Sequence, residues 1–194
     1  LPAGAGQESP ARRRILRTAG LLFYAEGIRA VGIDRIIAEA GVAKATFYSH
    51  FPAKDDLVRV YLAEQSRRQR AAVHEVQASG IPPTEVLLAV FEAIGELGCG
   101  PGFRGCAFIN AAVEYPDPGH PVRQVVTEHR SWFRGLLRDL LTAAAHPDVE
   151  RTTATLAVLR DGLVVGSQLD DPEEVRSLVR EAVTRLVRPT PIQP

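Results

Sequence analysis

From Gly27 to Leu57 the chain reads GIRAVGIDRIIAEAGVAKATFYSHFPAKDDL, and no other segment constrains the fold as tightly. Ile33, Ile36, Ile37 and Ala40 recur at i, i+3, i+4 and i+7, the spacing of one helix face. Gly41 ends that helix, because a residue without Cβ takes the left-handed conformation of a helix stop. A second short helix is predicted from about Lys44 to His50. Its Phe47, together with Phe51 four residues on, turns inward and leaves Thr46, Tyr48, Ser49 and His50 largely outside. Pro52 closes it, since the residue before a proline is pushed out of the α region. A preceding helix from about Ala11 to Glu26 carries the apolar stripe Ile15, Ala19, Leu22 and Phe23, and Gly27 stops it. Three helices with a sharp turn between the last two form a helix-turn-helix domain, which places its last helix in a DNA major groove.

The segment resembles the DNA-binding domain of the TetR family of bacterial transcriptional regulators. The resemblance covers roughly residues 12 to 60. It is carried by Phe23 and Gly27, Ile36 and Ile37, Ala40-Gly41-Val42, Thr46-Phe47-Tyr48, His50-Phe51, Lys54 and Leu57. It implies a recognition helix in the major groove, flanked by phosphate contacts. Lys44 and Ala45 would then lie against the DNA at the helix start, and Thr46 and Ser49 would reach base edges or phosphates. Tyr48 and His50 would hold the backbone. Lys54 would bind a phosphate with help from the dipole of its own helix. The chain departs from the family where hydroxyl residues usually cap the second and third helices, since Gly32 and Ala43 stand there. Gly32 still presents bare N–H groups to a phosphate. Ala43 offers no side-chain cap, at roughly 1 kcal/mol of local stability. Arg35 either compensates on the DNA or is a plain surface arginine.

Charge supports a DNA partner only when it is mapped. The 194 residues sum to zero, yet residues 1–60 carry +3 and residues 61–194 carry −3. A basic patch matters more than the total. The only two lysines among 23 basic residues, Lys44 and Lys54, flank the proposed recognition helix. The start LPAGAGQESP lacks the pattern of a secretory signal and reads as a flexible arm, residues 1–9, leading to a Ser9-Pro10 helix start. Arg12, Arg13 and Arg14 follow, suited equally to DNA and to a solvated arm. No apolar run is long enough to span a bilayer. A cytoplasmic location with no membrane partner is therefore expected.

The remainder reads as helices, for an all-α chain of about nine. Residues 1–55 form the expected DNA-binding domain and residues 56–194 a helical domain for effector binding and dimerisation. A long helix from Asp55-Asp56 runs to about Ala78. The next carries Leu87, Val90, Phe91 and Ile94. A glycine-rich turn, Gly98–Gly105, precedes the short CAFINAAVEY helix. A long amphipathic helix runs from Val122 to Leu141. Thr153 to Leu169 is apolar or small on nearly all sides, and a helix apolar all round is buried all round. Asp171-Pro172-Glu173-Glu174 opens the last helix. One domain of this size does not easily cover the last two helices, whereas a two-fold dimer does, as the resemblance also implies. The expected interface residues are Leu156, Leu159, Gly162, Leu163, Gly166, Val175, Leu178, Val179 and Leu186.

The resemblance further implies a cavity among these helices for a small, mainly apolar effector that spreads the DNA-reading heads. Candidate lining residues are Phe91, Phe103, Phe108, Asn110, Glu114, His129, Trp132 and Phe133. Asn110 and Glu114, four apart, either point together at a ligand's polar group or cap neighbouring helices. Cys99 and Cys106 are the only cysteines and read as ordinary thiols. No nucleophile motif, phosphate loop or zinc spacing is present, so neither an enzyme, a metal nor a cofactor is expected. The reading is a repressor of a palindromic operator. The alternative is an architectural or partner-binding DNA protein with no effector.

Overall fold

A computed structural model of the protein describes residues 9–188, all the ordered elements of which are helices. In chain order they are α1 Pro10–Glu26, α2 Ile33–Ala40, α3 Lys44–His50, α4 Lys54–Ala78, α5 Pro83–Cys99, α6 Ala107–Glu114, α7 Pro121–Ala143, α8 Val149–Leu169 and α9 Pro172–Val187. The expected arm lies outside the described residues apart from Ser9. Packing divides the chain into two compact units. The first comprises residues up to Gln65 with Ala107–Val126, and the second comprises Ser66–Cys106 with Thr127 onward.

Local chemistry sets the helix ends. Proline occupies the first turn of α1, α5 and α9, where its missing N–H costs nothing. Asp148 caps α8 by accepting from the Arg151 N–H, and Asp171 caps α9 by accepting from the Glu173 and Glu174 N–H groups. Ser9 does not cap α1 with its hydroxyl, which lies 3.3 Å from His50 Nε2 instead. The helix α5 runs on to Cys99, further than the expected turn.

The first unit closes over Ile15, Ala19, Phe23, Ile36, Phe47, Phe51 and Leu57, all essentially without solvent exposure. Phe23 meets the ring of Tyr61 edge-on at 5.8 Å. The core of the second unit gathers Leu87, Phe91, Leu137, Leu141, Leu156, Leu163 and Val183 from α5, α7, α8 and α9. Burying each of these side chains is worth about 1.5–3 kcal/mol before entropy is counted.

The uncovered side of α8 is defined here. The helix α8 is not buried all round within its own chain. Thr152, Thr153, Arg160 and Ser167 are buried, while Val158, Val165 and Leu169 are exposed, Leu169 by 77%. The exposed residues fall with Gly162 on a single stripe at i, i+4, i+7 and i+11. Among these inward polar residues, Ser167 Oγ donates to the Leu163 carbonyl of its own helix and Arg160 to Cys106 and Asp161, whereas Thr153 Oγ1 is buried without a hydrogen-bond partner among the described residues.

Candidate nucleic-acid interface

The turn between α2 and α3 is built by Gly41. Its φ of +62° is left-handed, and a Cβ there would meet no atom within 4 Å. The glycine is thus needed for its conformation rather than for space. Its N–H and that of Val42 return to the carbonyls of Ala38 and Ile37, which ends α2 cleanly.

The helix α3 follows with an extended, uncapped Ala43 before it. Phe47 and Phe51 anchor it, fully buried and 6.1 Å apart between ring centres. With that face fixed inward, Lys44, Ala45, Tyr48 and Ser49 stand exposed, and Thr46 and His50 are half-buried at the edges. The Tyr48 ring leans edge-on against Phe47, which leaves its hydroxyl outward on a supported ring. Ser49 Oγ donates to the Thr46 carbonyl at 2.8 Å and keeps its lone pairs for an outside donor. His50 is oriented by Ser9.

The flanking cations are less alike than the sequence suggests. Lys44 Nζ lies 3.2 Å from Asp34 Oδ1, and both groups are well exposed, so solvent weakens the pair. Lys54 sits 5.9 Å over the Phe23 ring, at the N-terminus of α4, and its burial lowers the ammonium pKa. Arg35 forms a fork on Glu26 and a further bond to Glu39, so its guanidinium is held by two carboxylates of its own chain. The Arg35 hydrogen bond holds the Glu26 carboxyl below its ordinary range. Gly32 precedes α2 with open space where a side chain would be. Arg13 and Arg14 are exposed on α1.

What fixes the α1–α2 turn comes from far along the chain. Glu114, at the end of α6, accepts from the Ile28 N–H at 2.8 Å and also from the Arg29 N–H. Gly27 is needed there for its φ of +95°, since a Cβ would stand at an ordinary contact distance of 3.5 Å from the carboxylate. Next door Tyr115 donates to Asp55 Oδ1 at 2.9 Å, and His120 reaches the other oxygen of Asp55. Glu114 therefore spends its charge on backbone, and Asn110, four residues earlier, is half-buried. Phe108 belongs to the core of the same unit.

The remaining candidate effector residues lie in the second unit. His129, 3% exposed, has Nδ1 3.1 Å from Ser66 Oγ and its ring 5.3 Å from that of Trp132. Arg70 donates to the same Ser66 hydroxyl and lies over the Trp132 ring. Arg160, itself buried, covers the Phe133 ring and donates to Cys106 Sγ at 3.1 Å and to Asp161. Burial, with Arg160, Arg70 and Arg130 nearby, pushes the His129 pKa down to about 4, so the ring is neutral at pH 7. Phe103 is half-buried, and Phe91 belongs to the α5 face of the core. Cys99 and Cys106 are both free thiols, and burial raises the pKa of Cys99. Of the expected interface residues, Leu156 and Leu163 are buried in their own core, and Leu159, Val175, Val179 and Leu186 pack partly against it. Gly162 and Leu178 are exposed, while a Cβ added at Gly166 would come within 3.0 Å of Val175 Cγ1.

Known proteins share this arrangement. Residues 15–61 match the family model described as "Bacterial regulatory proteins, tetR family". SCO4454, a TetR-family transcriptional regulator from Streptomyces coelicolor, has a crystal structure similar to this chain at a TM-score of 0.88 and 44% identity, over 92% of this chain and 94% of that one. The HTH-type transcriptional regulator YjdC of Escherichia coli is 26% identical over 170 residues, 82% of this chain and 86% of its own. The HTH-type transcriptional repressor DhaR of a Mycobacterium species is 25% identical over 162 residues, 82% of this chain and 80% of its own.

Proposed function

The chain belongs to the TetR family, and from that premise we propose that this DNA-binding transcriptional regulator is a repressor released from a palindromic operator by a small, mainly apolar effector. It acts by binding and not as an enzyme. The observation that carries the reading is the outward face of α3, where Lys44, Ala45, Tyr48 and Ser49 project from a helix pinned by two buried phenylalanines. Thr46 and Ser49 read base edges, and Tyr48, His50, Lys44 and Lys54 hold phosphates. The bare N–H groups at Gly32 add an anion contact. Arg35, already forked on Glu26, serves the α1–α2 packing first and the DNA only by exchanging partners.

A homodimer supplies the second reading head. The stripe Val158, Gly162, Val165 and Leu169 on α8, with Leu178 on α9, is the apolar surface a two-fold partner would cover. Leu159, Gly166 and Leu186 border it. Residues 1–55 then act as the DNA-binding domain and residues 56–194 as the effector and dimerisation domain, in the cytoplasm. The effector enters beside His129, Trp132 and Phe133 and prefers the head spacing that does not fit DNA, so affinity for the operator falls by population shift.

Selection of sites from random duplexes, followed by salt titration, tests the reading. A palindrome with half-sites about one helical turn apart is the expected winner. Thr46→Ala shifts the selected sequence, whereas Tyr48→Phe weakens all duplexes alike. Salt-sensitive binding without a consensus would instead favour an architectural DNA protein.

A further inference from the structure

We propose that Arg13, near the start of α1, is a further DNA-contacting residue. It holds a backbone phosphate next to the one that His50 holds, and so lengthens the stretch of each half-site that one head covers. The inference rests on the reading that α3 lies on DNA. Its neighbour Arg14 is also exposed but takes no part. Two adjacent arginines that look alike in the sequence are thereby given different tasks.

The start of α1 is tied to the end of α3. Ser9 Oγ lies 3.3 Å from His50 Nε2, and the Arg12 guanidinium lies 5.4 Å from the centre of the Phe51 ring. Ser9 thus marks the side of α1 that meets the recognition helix. Arg13 follows Ser9 by four residues, and its N–H donates to the Ser9 carbonyl at 3.1 Å. Residues four apart share one face of a helix, and each side chain tilts toward the N-terminal end. The Arg13 side chain is therefore carried back over Ser9, toward His50. Arg14 stands about 100° further round the helix. It shares its side with Pro10 and Leu21, both open to solvent, Leu21 by 67%. Arg17 is on the Arg13 side but one turn, about 5.4 Å, farther from Ser9.

Charge separates Arg13 from the other cations of the head. The first turn of α1 holds no acidic residue, and among the described residues no carboxylate pairs with Arg13. Arg35, by contrast, is forked on Glu26, and Lys44 lies beside Asp34. A guanidinium is always charged and carries five N–H donors in a fork that suits a phosphate. His50 already stands at the edge of the outward face of α3. An arginine carried over the turn beside it meets the next phosphate along the same strand. Such a contact fixes the register of the head and reads no base.

Salt titrations of the full-length protein on its selected duplex test this, with wild type, Arg13→Gln, Arg13→Lys and Arg14→Gln compared by fluorescence anisotropy. Losing one phosphate contact flattens the slope of log affinity against log salt by about 0.9 and weakens binding about five- to tenfold near 0.1 M salt. Arg13→Gln should show both effects and Arg14→Gln neither, although the two variants lose the same charge. Arg13→Lys should keep the slope, because it keeps the charge. All four proteins should select the same sequence. Uncharged methylphosphonates, placed singly along the duplex, then locate the contact. At one flanking position the wild type should lose affinity and Arg13→Gln should lose no more. An unchanged slope in Arg13→Gln, or equal flattening by Arg13→Gln and Arg14→Gln, would overturn the proposal and leave α3 on the DNA. A wild type that selects no sequence would overturn the reading of α3 and the role of Arg13 together.

Discussion

The two units solve opposite problems. The first must hold a short helix rigid while keeping its outer face polar and exposed. It does so with two buried rings, Phe47 and Phe51, and with backbone clamps set from afar, of which the Glu114 carboxylate on the Ile28 N–H is the clearest. The second buries polar groups in its interior and leaves apolar ones outside. Arg160, His129, Thr152 and Thr153 are inside, and Val158 and Leu169 are exposed. A DNA-reading surface needs its polarity outside and its order from within. A unit that holds ligands or pairs with a second copy needs polar groups within and an apolar face without.

The contrast breaks most severely where α3 loses its anchor. Phe47→Ala should cost about 3–5 kcal/mol, because the ring is fully buried and α3 has no cap to retain it. Urea unfolding checks this, and operator binding should disappear together with the stability. A loss below 1 kcal/mol would show that α3 is held by something else.

The second unit is tested through His129. An unfolded histidine titrates near 6.5, and folded His129 titrates at about 4. Between those values the unfolded chain takes up a proton that the folded chain refuses. Stability from this group is therefore complete above about pH 6.5 and is lost as pH falls toward 4, by about 3 kcal/mol in all. Unfolding free energies of the wild type and of His129→Gln should converge by that amount over this range. Parallel pH profiles would mean that the ring is protonated in the fold.

What was legible in the sequence has a common physical character. The bounds of α2 and α3 were legible because Gly41, Pro52 and the 3.6-residue period act within a few residues of themselves. The cap of α9 was legible for the same reason, since Asp171 serves the N–H groups two and three residues on. Partners chosen across the fold left no local trace. Nothing near Glu114 indicates that it serves a turn 86 residues earlier in the chain, and nothing near Arg160 points to Cys106, 54 residues before it. The facing of α8 was obscured because apolar residues occupy every side, so periodicity could not select one. Only the inward turn of Thr153 and Arg160 shows which side is out.

The smallest effects compare the caps themselves. Gly41→Ala should cost about 1–2 kcal/mol, the penalty of a left-handed alanine, since open space surrounds the position and sterics add nothing. Asp171→Ala should cost about 1 kcal/mol by leaving the Glu173 and Glu174 N–H groups without their acceptor. The converse change belongs to α3. Ala43 is extended, as a cap residue is, yet it offers no oxygen to the first turn. Ala43→Ser should therefore add about 0.5–1 kcal/mol in the same unfolding assay. Its effect on DNA separates two roles that a hydroxyl can take there. If the serine only caps α3, operator affinity changes no more than stability does. If it also reaches a phosphate, affinity rises at every sequence alike and the slope of binding against salt stays the same, because no charge has been added. A fall in either quantity would mean that the first turn of α3 is already satisfied without a cap.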